Sequence, residues 1–533
     1  MSKTAFFNAK VYVEKGVYAE ALLQEDGWIK MVGTTGEILS MAGYDAEKID
    51  CGGKTIVPGF NDSHMHILQV GCAMQQLDVS GCRSVEEMIE AGRKYLAENP
   101  DCQGLFTQTW NDDLFDPDKK RLPDKHDCDA ISTEIPVFLG RICGHSAAVN
   151  SLILEKMGLD KDHHTVEGGE VVLGPDGEPN GYLFEAAQAE ARLCIPQMTV
   201  EDAKKYYLMA MEYGVSHGMT TTQSNDYTTV APKEIVKQAL EELYAAGEAP
   251  MRYVGQCGCE NMQQAVEYVR DDWGRKVGMM EYGPAKMFKD GSLGARSAMM
   301  RNGYADDPDA KGVDRIPEDE QLAMIQFFQD HGVTVATHCI GDGAIDVTQK
   351  MYAQVAGTEN KYRHNIIHYQ ITDMDMVKFT KEHNILVSYQ PVFLQYDLHI
   401  VESRCGHDLA MQSYCFKTAH DMGIHASYGT DSPVENCNPL ANLYCAVTRK
   451  DFKGQPLEGW NPAECVDVET AVDAYTYESA YAEFKEGVKG RIKPGFYADL
   501  VVLDKDIFTC DPMEIKDVLP VLTMVDGKIV YRK

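Results

Sequence analysis

The chain has 533 residues, which exceeds a typical single domain and predicts one large core accompanied by a smaller unit. Its 44% hydrophobic and 25% charged residues are ordinary for a globular protein. The net charge of −32 excludes the basic footprint that phosphate binding requires, so we expect neither a nucleic-acid partner nor an anionic membrane surface.

The N-terminal segment, Met1–Asn8, lacks the apolar region of a signal peptide. No stretch of the sequence approaches the roughly 20 apolar residues that a membrane span needs. The 16 cysteines are scattered, without the paired Cys-x-x-Cys spacing of a structural zinc site, and we expect most of them to be small, reduced core residues. These features predict a cytoplasmic protein.

Short β-rich segments occur at both ends of the chain. Residues 4–32 contain three of them, and residues 498–533 contain an apolar run followed by a hairpin whose turn is Asp526-Gly527. Neither end is large enough to bury a core alone, so we expect the two ends to combine. The sequence therefore predicts a composite β-sandwich domain made of residues 1–53 and 488–533.

Between the two ends, predicted strands alternate with predicted helices, which is typical of a parallel α/β fold. The helices carry start and stop signals, as in the segment from Glu318 to His331, which Gly332 ends. Eight strands with intervening helices predict a TIM (β/α)8 barrel over residues 54–487, with its chemistry at the C-terminal ends of the strands. The strands are expected at 54–60, 218–223, 251–257, 281–288, 333–338, 363–368, 385–389 and 425–430.

The connection between the first two predicted strands, residues 67–217, is far too long for a helix crossover. It contains a capping box, Ser84 with Glu87, which predicts the start of a helix, and β-like runs around 136–142 and 170–183. We interpret this long insertion after the first barrel strand as a subdomain that covers the mouth of the barrel and contributes to substrate specificity.

Six side chains could bind metal. In a strand, residues i and i+2 point to the same face, so the His-x-His pair of His64 and His66 would direct two imidazoles at one point, as a divalent metal requires. This pair alone is a weak signal. Four further candidates fall at or just after the ends of predicted strands, and the joint pattern indicates a metal-dependent hydrolase; they are Lys286, His338, His368 and Asp431.

These residue types suit a particular chemistry. Neutral imidazoles and the Asp431 carboxylate bind zinc-like ions. A buried Lys286 would lose its proton because desolvation lowers its pKa, and the free amine could capture carbon dioxide as a carbamate that bridges two metals sharing a hydroxide. Taken singly, each candidate has a plainer interpretation: a histidine filling space, an ordinary lysine, or an aspartate in a turn or helix cap.

Several motifs together identify a family. Five of them contain a candidate metal ligand, one lies in the insertion and one in the C-terminal β segment. They are Pro58–His66, Arg141–Asn150, Lys286–Arg296, His338–Ala344, Ile367–Gln370, Gly429–Val434 and Gly490–Leu500. On these motifs the chain resembles the amidohydrolase superfamily, and within it the amidohydrolase-3 (YtcJ-like, N-substituted formamide deformylase-like) branch. The Lys-x-Phe-x-Asp-Gly-Ser-Leu-Gly string that begins at Lys286 is the most specific to this branch.

The resemblance implies a role for each ligand. His64, His66 and Asp431 would hold the more buried metal, and His338 and His368 would hold the second. A carboxylated Lys286 would bridge the two, and Asp431 would also act as the general base that passes a proton to the leaving amine. The metal is expected to be one or two zinc ions, with iron or manganese as alternatives. A homodimer is implied by the family alone.

Five further residues are weaker candidates for the site. His145, in the insertion, could act over the metals as a catalytic or substrate-binding residue, or it could be a structural histidine that fixes a loop. Asp290 and Arg296 follow the fourth strand and could orient substrate or cap the next segment. Trp110 and Gln390 could form pocket walls, although core packing is the plainer role for the tryptophan.

The expected activity is hydrolysis of a non-peptide carbon–nitrogen bond of a small molecule, of the amide or formamide type, by metal-activated hydroxide. The same ligands would serve a deaminase or cyclic amidase, or an esterase or lactonase. A more remote alternative is a catalytically inactive relative that binds a metabolite. The sequence does not name the substrate, because specificity lies in the insertion and the barrel loops.

Overall fold

The computed structural model describes residues 3–227 and 230–533; residues 1 and 2, which open the predicted 1–53 segment, lie outside the described residues. The chain divides into two compact units, a smaller one of Cys72–Thr199 and a larger one of Met1–Gly71 with Val200–Lys533. Across the described ranges, no helix is both long enough and apolar enough to cross a membrane.

The centre of the larger unit is a barrel of eight parallel strands. Each strand pairs with the next one along the chain, and Lys276–Val277 adds a short antiparallel strand beside the fourth. This arrangement confirms the predicted α/β TIM-barrel class. The eight strands are Phe60–Met65 (β1), Met219–Ser224 (β2), Arg252–Gly258 (β3), Met280–Phe288 (β4), Val335–Cys339 (β5), Asn365–His368 (β6), Leu386–Tyr389 (β7) and Ala426–Tyr428 (β8).

Hydrogen bonds join β1 to the segment that follows β8. The backbone N–H of Asp431 donates to the carbonyl of His64 over 2.8 Å, and the N–H of His66 donates to the carbonyl of Ser432 over 2.8 Å. These bonds nearly close the barrel, because they connect its first and last strands. They also place the residue after β8 directly beside the histidines at the end of β1.

Helices connect the barrel strands, and their apolar positions have the helical period. In Glu318–Asp330, for example, Met324, Ile325 and Phe328 recur at spacings of one and three and are all buried. The α-helices of the described chain are Thr35–Ala42, Ile67–Gln75, Val85–Glu98, Lys125–Ile131, Ser151–Met157, Ala186–Arg192, Val200–Ser216, Lys233–Ala246, Met262–Asp271, Glu318–Asp330, Asp342–Ala356, Met374–Glu382, Leu394–Asp397, Val401–Cys405, His407–Ala410, Phe416–Asp421, Pro439–Thr448, Val468–Asp473 and Ser479–Ala482.

The two chain ends contribute to two further sheets. One has four strands in the order Trp28–Gly33, Ala21–Glu25, Lys3–Phe7 and Glu47–Asp50, and the other has six in the order Lys528–Arg532, Pro520–Val525, Leu500–Leu503, Thr55–Pro58, Lys10–Glu14 and Val17–Ala19. One buried cluster contains residues from both ends, including Val11, Leu22, Leu500 and Met524. Burial of this shared apolar surface holds the ends together.

The segment predicted as one barrel strand over 54–60 is two strands in the structure. Thr55–Pro58 pairs with Leu500–Leu503 in the six-stranded sheet, whereas Phe60–Met65 is β1. Gly59 separates them, and a Cβ at this position would lie 2.1 Å from the Thr220 side chain. The prediction was wrong because the whole run is buried, so no change of periodicity marks the point where the chain passes from one sheet to the other.

The smaller unit, Cys72–Thr199, has its own sheet and its own cores. Five strands pair in the order Gly169–Leu173, Pro179–Glu185, Ser146–Val149, Val137–Arg141 and Leu105–Trp110. The predicted helix start is present, since the Ser84 side chain accepts a hydrogen bond from the Glu87 N–H. The final part of the predicted insertion of 67–217 contains the helix Val200–Ser216, which belongs to the larger unit.

Candidate metal centre

The end of β1 and the segment after β8 bring three candidate ligands together. His64 Nε2 lies 3.3 Å and His66 Nε2 lies 3.2 Å from Asp431 Oδ1. The ligand atoms of all three residues lie within 4.8 Å of one another. The His64 side chain is 1% exposed, while those of His66 and Asp431 are 12% and 10% exposed, so the cluster is shielded from bulk water without being sealed.

Hydrogen bonds on the far side of each ring orient the two imidazoles. His64 Nδ1 lies 2.6 Å from Gln256 Oε1, and His66 Nδ1 lies 2.5 Å from the backbone oxygen of Asn225. Both acceptors are oxygens, so each ring carries its proton on Nδ1, and a neutral ring then has a lone pair on Nε2. Gln256 is itself held in place, because its Nε2 donates to the carbonyl of Ser63 over 2.8 Å.

The charges in this cluster fit a cation. Burial lowers the pKa of His64 to about 4, so this ring is neutral at neutral pH. Burial acts in the same direction on the pKa of His66, but its contact with Asp431 outweighs burial and raises that pKa. Burial would raise the pKa of Asp431, yet His64 and His66 hold it well below its usual range, so the carboxylate is ionised.

An anionic oxygen and imidazole lone pairs at these distances repel one another unless a cation or a proton lies among them. Asp431 Oδ1 is buried and has no hydrogen-bond partner in the described part of the chain. The donor set of two imidazole nitrogens and one carboxylate oxygen is one that zinc-like ions accept. The residues therefore fit a divalent metal.

A second pair of histidines adjoins the first. The ring centroid of His368, at the end of β6, lies 5.5 Å from that of His64 and 4.4 Å from that of His338, on β5. Burial lowers the pKa of both His338 and His368 well below the usual value, so both rings are neutral. His368 Nε2 is buried without a hydrogen-bond partner among the residues that the structure describes, and such an atom is available to a metal.

Lys286, on β4, is fully buried beside these histidines. Its Nζ lies 3.6 Å from the ring centroid of Phe288, which is in turn 5.5 Å from the ring centroid of His338. Its Nζ donates a hydrogen bond to the carbonyl of Met287 over 3.3 Å. Burial lowers the pKa of Lys286 to about 7, so a large fraction of the amine is uncharged at neutral pH.

Unusual backbone conformations occur at two of these positions. Asp431 and His368 have φ angles of +55° and +76°, in the left-handed region that residues with a Cβ adopt at a cost. The backbone before Asp431 is held by the buried carboxylate of Asp62, which accepts hydrogen bonds from the Thr430 N–H and hydroxyl and from the Tyr475 hydroxyl. Asp62 therefore fixes the segment that carries Asp431 against β1.

Three of the weaker candidates lie in the larger unit. Asp290 is buried and accepts from His338 Nδ1 over 3.1 Å as well as from three backbone amides, those of Met299, Ile340 and Gly341. Burial raises its pKa to about 7, against the opposing effect of those amides. Gln390 Oε1 lies 2.7 Å from His368 Nδ1. Arg296 instead pairs with Asp306 over 2.8 Å.

The remaining two candidates lie in the smaller unit. The Trp110 side chain is fully buried in a core of that unit, and its indole N–H donates to the carbonyl of Leu139 over 2.9 Å. His145 is exposed, and its Nδ1 lies 3.2 Å from Glu185 Oε2, which raises the pKa of the imidazole. The tryptophan thus has the packing role that the sequence left open.

Sequence reasoning missed three residues that position the candidate ligands: Gln256, Asp62 and the backbone of Asn225. The only local signal was for Gln256, a polar residue in the mostly apolar predicted strand 251–257. Asp62 lies beyond the predicted strand 54–60, among polar neighbours, and had no such signal. No pattern in the sequence relates Gln256 to His64, because 192 residues separate them. A backbone acceptor such as Asn225 leaves no trace in the sequence at all.

Comparisons with known proteins agree with this geometry. The model of the amidohydrolase family, Amidohydro_3, matches residues 47–531. The putative amidohydrolase YtcJ of Bacillus subtilis (strain 168) is 32% identical over 98% of this chain and 97% of its own. The N-substituted formamide deformylase of Arthrobacter pascens is 25% identical over 99% of this chain and 97% of its own.

A crystal structure of an uncharacterized metal-dependent hydrolase from Pyrococcus furiosus superposes with a TM-score of 0.79, at 27% identity, over 95% of this chain and 100% of that one. The family match covers nearly the whole chain, and the relatives match it from end to end, so the branch predicted from the motifs is confirmed. The chain belongs to the amidohydrolase family and is a metal-dependent hydrolytic enzyme.

Proposed function

We propose that the enzyme hydrolyses a non-peptide carbon–nitrogen bond, of the amide or formamide class, in a small molecule. The observation that carries this proposal is the convergence of His64 Nε2, His66 Nε2 and the buried Asp431 Oδ1 within 4.8 Å. The formamide deformylase among the relatives supports the bond class.

In this proposal His64, His66 and Asp431 hold one divalent ion, and His338 and His368 hold a second; zinc is the proposed metal. Lys286, as a carbamate, would supply a further oxygen ligand to the ions. Its burial and its pKa of about 7 support this role, because only the uncharged amine attacks carbon dioxide, and the carbamate forms with release of one proton. When bound, such ions supply a water of lowered pKa and polarise the carbonyl of the substrate.

The residues of the chain then move the proton. Asp431 is ionised and lies beside both histidines, so its carboxylate is available to accept a proton from the attacking water. It returns that proton to the nitrogen of the leaving amine as the carbon–nitrogen bond breaks. Gln256 and Gln390 keep the rings of His64 and His368 oriented throughout, because each accepts the Nδ1 proton.

The test combines metal content with product analysis. Plasma mass spectrometry of wild type and Lys286→Ala, purified together with zinc and bicarbonate, should give about two metals per chain in wild type and fewer in the variant. The loaded enzyme should release amines from a panel of formamides and amides. Ammonia release from amino-heterocycles would instead indicate a deaminase, release of alcohols from esters an esterase, and absence of metal would refute the mechanism.

A further inference from the structure

Arg315 lies in the loop that follows β4 and precedes the helix Glu318–Asp330. Its N–H donates to the carbonyl of Lys289 over 2.9 Å. The fully buried Lys289 in turn donates to the carbonyl of Ile316 over 2.8 Å and pairs with Asp314 over 2.7 Å. The backbone on both sides of Arg315 is therefore anchored to the end of β4.

The side chain of Arg315 is adjacent to the candidate metal centre. Its guanidinium carbon lies 5.2 Å from the ring centroid of Phe288, and the same ring has Lys286 Nζ at 3.6 Å and the His338 ring at 5.5 Å. Arg315 is exposed, whereas Lys286 is fully buried. A solvent-accessible cation thus lies next to the buried residues that the proposed mechanism uses.

Among the residues that the structure describes, the guanidinium of Arg315 has no protein acceptor. Each of the other arginines of the larger unit has a carboxylate within 4.0 Å or a carbonyl within hydrogen-bond distance, whereas Arg315 has neither within the described ranges of that unit. The chain carries 82 acidic residues against 50 basic ones, so an accessible arginine has many carboxylates to pair with. One that stays unpaired beside the proposed reaction centre requires an explanation.

We infer that Arg315 is a specificity-determining residue that binds a carboxylate group of the substrate. This inference rests on the proposed function, which it narrows to amides that carry a carboxylate near the bond to be broken. The planar guanidinium offers paired N–H donors that match a carboxylate, and the cation–π contact with Phe288 restricts the side chain before the substrate arrives. An anchored loop adds to this preorganisation, which reduces the entropy lost on binding.

Kinetics with two matched substrates test the inference. N-formyl-leucine carries a carboxylate, and N-formyl-leucinamide has nearly the same shape without the charge. The zinc-loaded wild type should prefer the acid, and Arg315→Gln should lower kcat/KM for the acid at least tenfold, mainly through KM, while the value for the neutral compound changes less than twofold. The control is Arg532→Gln, an exposed arginine of the six-stranded sheet, which should leave both values unchanged.

Binding measurements separate this inference from the proposed function. If the wild type hydrolyses neither compound, the proposed amidase activity fails for these substrates. Calorimetric titration with 4-methylpentanoate and 4-methylpentanamide then tests whether Arg315 binds a carboxylate, independently of hydrolysis. Arg315→Gln should lower the affinity for 4-methylpentanoate at least tenfold and leave the affinity for 4-methylpentanamide unchanged. Equal effects on both ligands, no effect on either, or a wild type without preference for the carboxylate would overturn the inference.

Discussion

Replacing Gln256 with leucine should weaken binding of the metal proposed at His64, His66 and Asp431. Gln256 is 3% exposed, and its Oε1 is the acceptor for His64 Nδ1 at 2.6 Å. Leucine of similar size offers no acceptor, so the His64 ring loses both its tautomer preference and its orientation. Loss of such a partner typically costs 10- to 100-fold in metal affinity, which corresponds to about 1.4–2.8 kcal/mol.

The same substitution should also reduce stability in the absence of metal. Gln256 Nε2 donates to the carbonyl of Ser63, and the leucine variant leaves that carbonyl without this donor. A buried acceptor without its partner costs about 1–3 kcal/mol of unfolding free energy. Urea denaturation of the metal-free protein measures this loss, and titration with zinc against a chromophoric chelator measures the metal affinity.

The matched control is Gln390→Leu, which removes the acceptor of His368 Nδ1 at 2.7 Å. It should weaken binding of the ion proposed at His338 and His368, while the other ion should bind with near wild-type affinity. The reasoning is refuted if Gln256→Leu folds normally and binds both ions as wild type does. It is also refuted if the two variants affect the same ion, because each glutamine would then have no ring of its own to position.

Three further predictions concern the ligands and the strand that carries them. In bicarbonate, the affinity for the second zinc should increase as the pH rises through about 7. Burial lowers the pKa of Lys286 to about 7, and only the neutral amine forms a carbamate. Metal titrations at several pH values measure this increase. Asp431→Asn should lower kcat at least about 100-fold, measured at saturating zinc. Gly429→Ala should lower the unfolding free energy by about 1–3 kcal/mol, since the added Cβ would lie 2.6 Å from the backbone nitrogen of His64.

Each of these predictions has its own control. Lys286→Met should abolish the pH-dependent rise, and a variant that keeps it would show that histidine deprotonation is responsible. Asp431→Asn must retain some zinc for its kcat to report proton transfer, and activity within tenfold of wild type would exclude Asp431 as the base. Gly487→Ala adds a methyl group that would have no described residue within 4 Å apart from its chain neighbours, so equal losses for Gly429→Ala and Gly487→Ala would contradict the packing argument.

Much of the fold followed from local patterns. Buried parallel strands and amphipathic helices leave periodic apolar residues, so the barrel class and seven of its eight strands were predicted with boundaries within a few residues. The alternation of side chains along a strand also made His64 and His66 neighbours, and chemistry at strand ends related them to Lys286, His338, His368 and Asp431. The proximity of His64, His66 and Asp431 in the structure agrees with that reasoning, while their role as ligands stays a prediction.

Tertiary structure alone decided the contacts between distant parts of the chain. Asp62 holds Thr430 across 368 residues, and Gln256 orients His64 across 192, so no local pattern contains either contact. The division of the predicted strand at Gly59 depends on the close approach of Thr220, which is likewise remote in sequence. Periodicity records which residues are buried, whereas hydrogen-bond partners depend on the three-dimensional path of the chain. The sequence by itself thus determined the barrel and its candidate donors, and the tertiary structure determined how those donors are oriented.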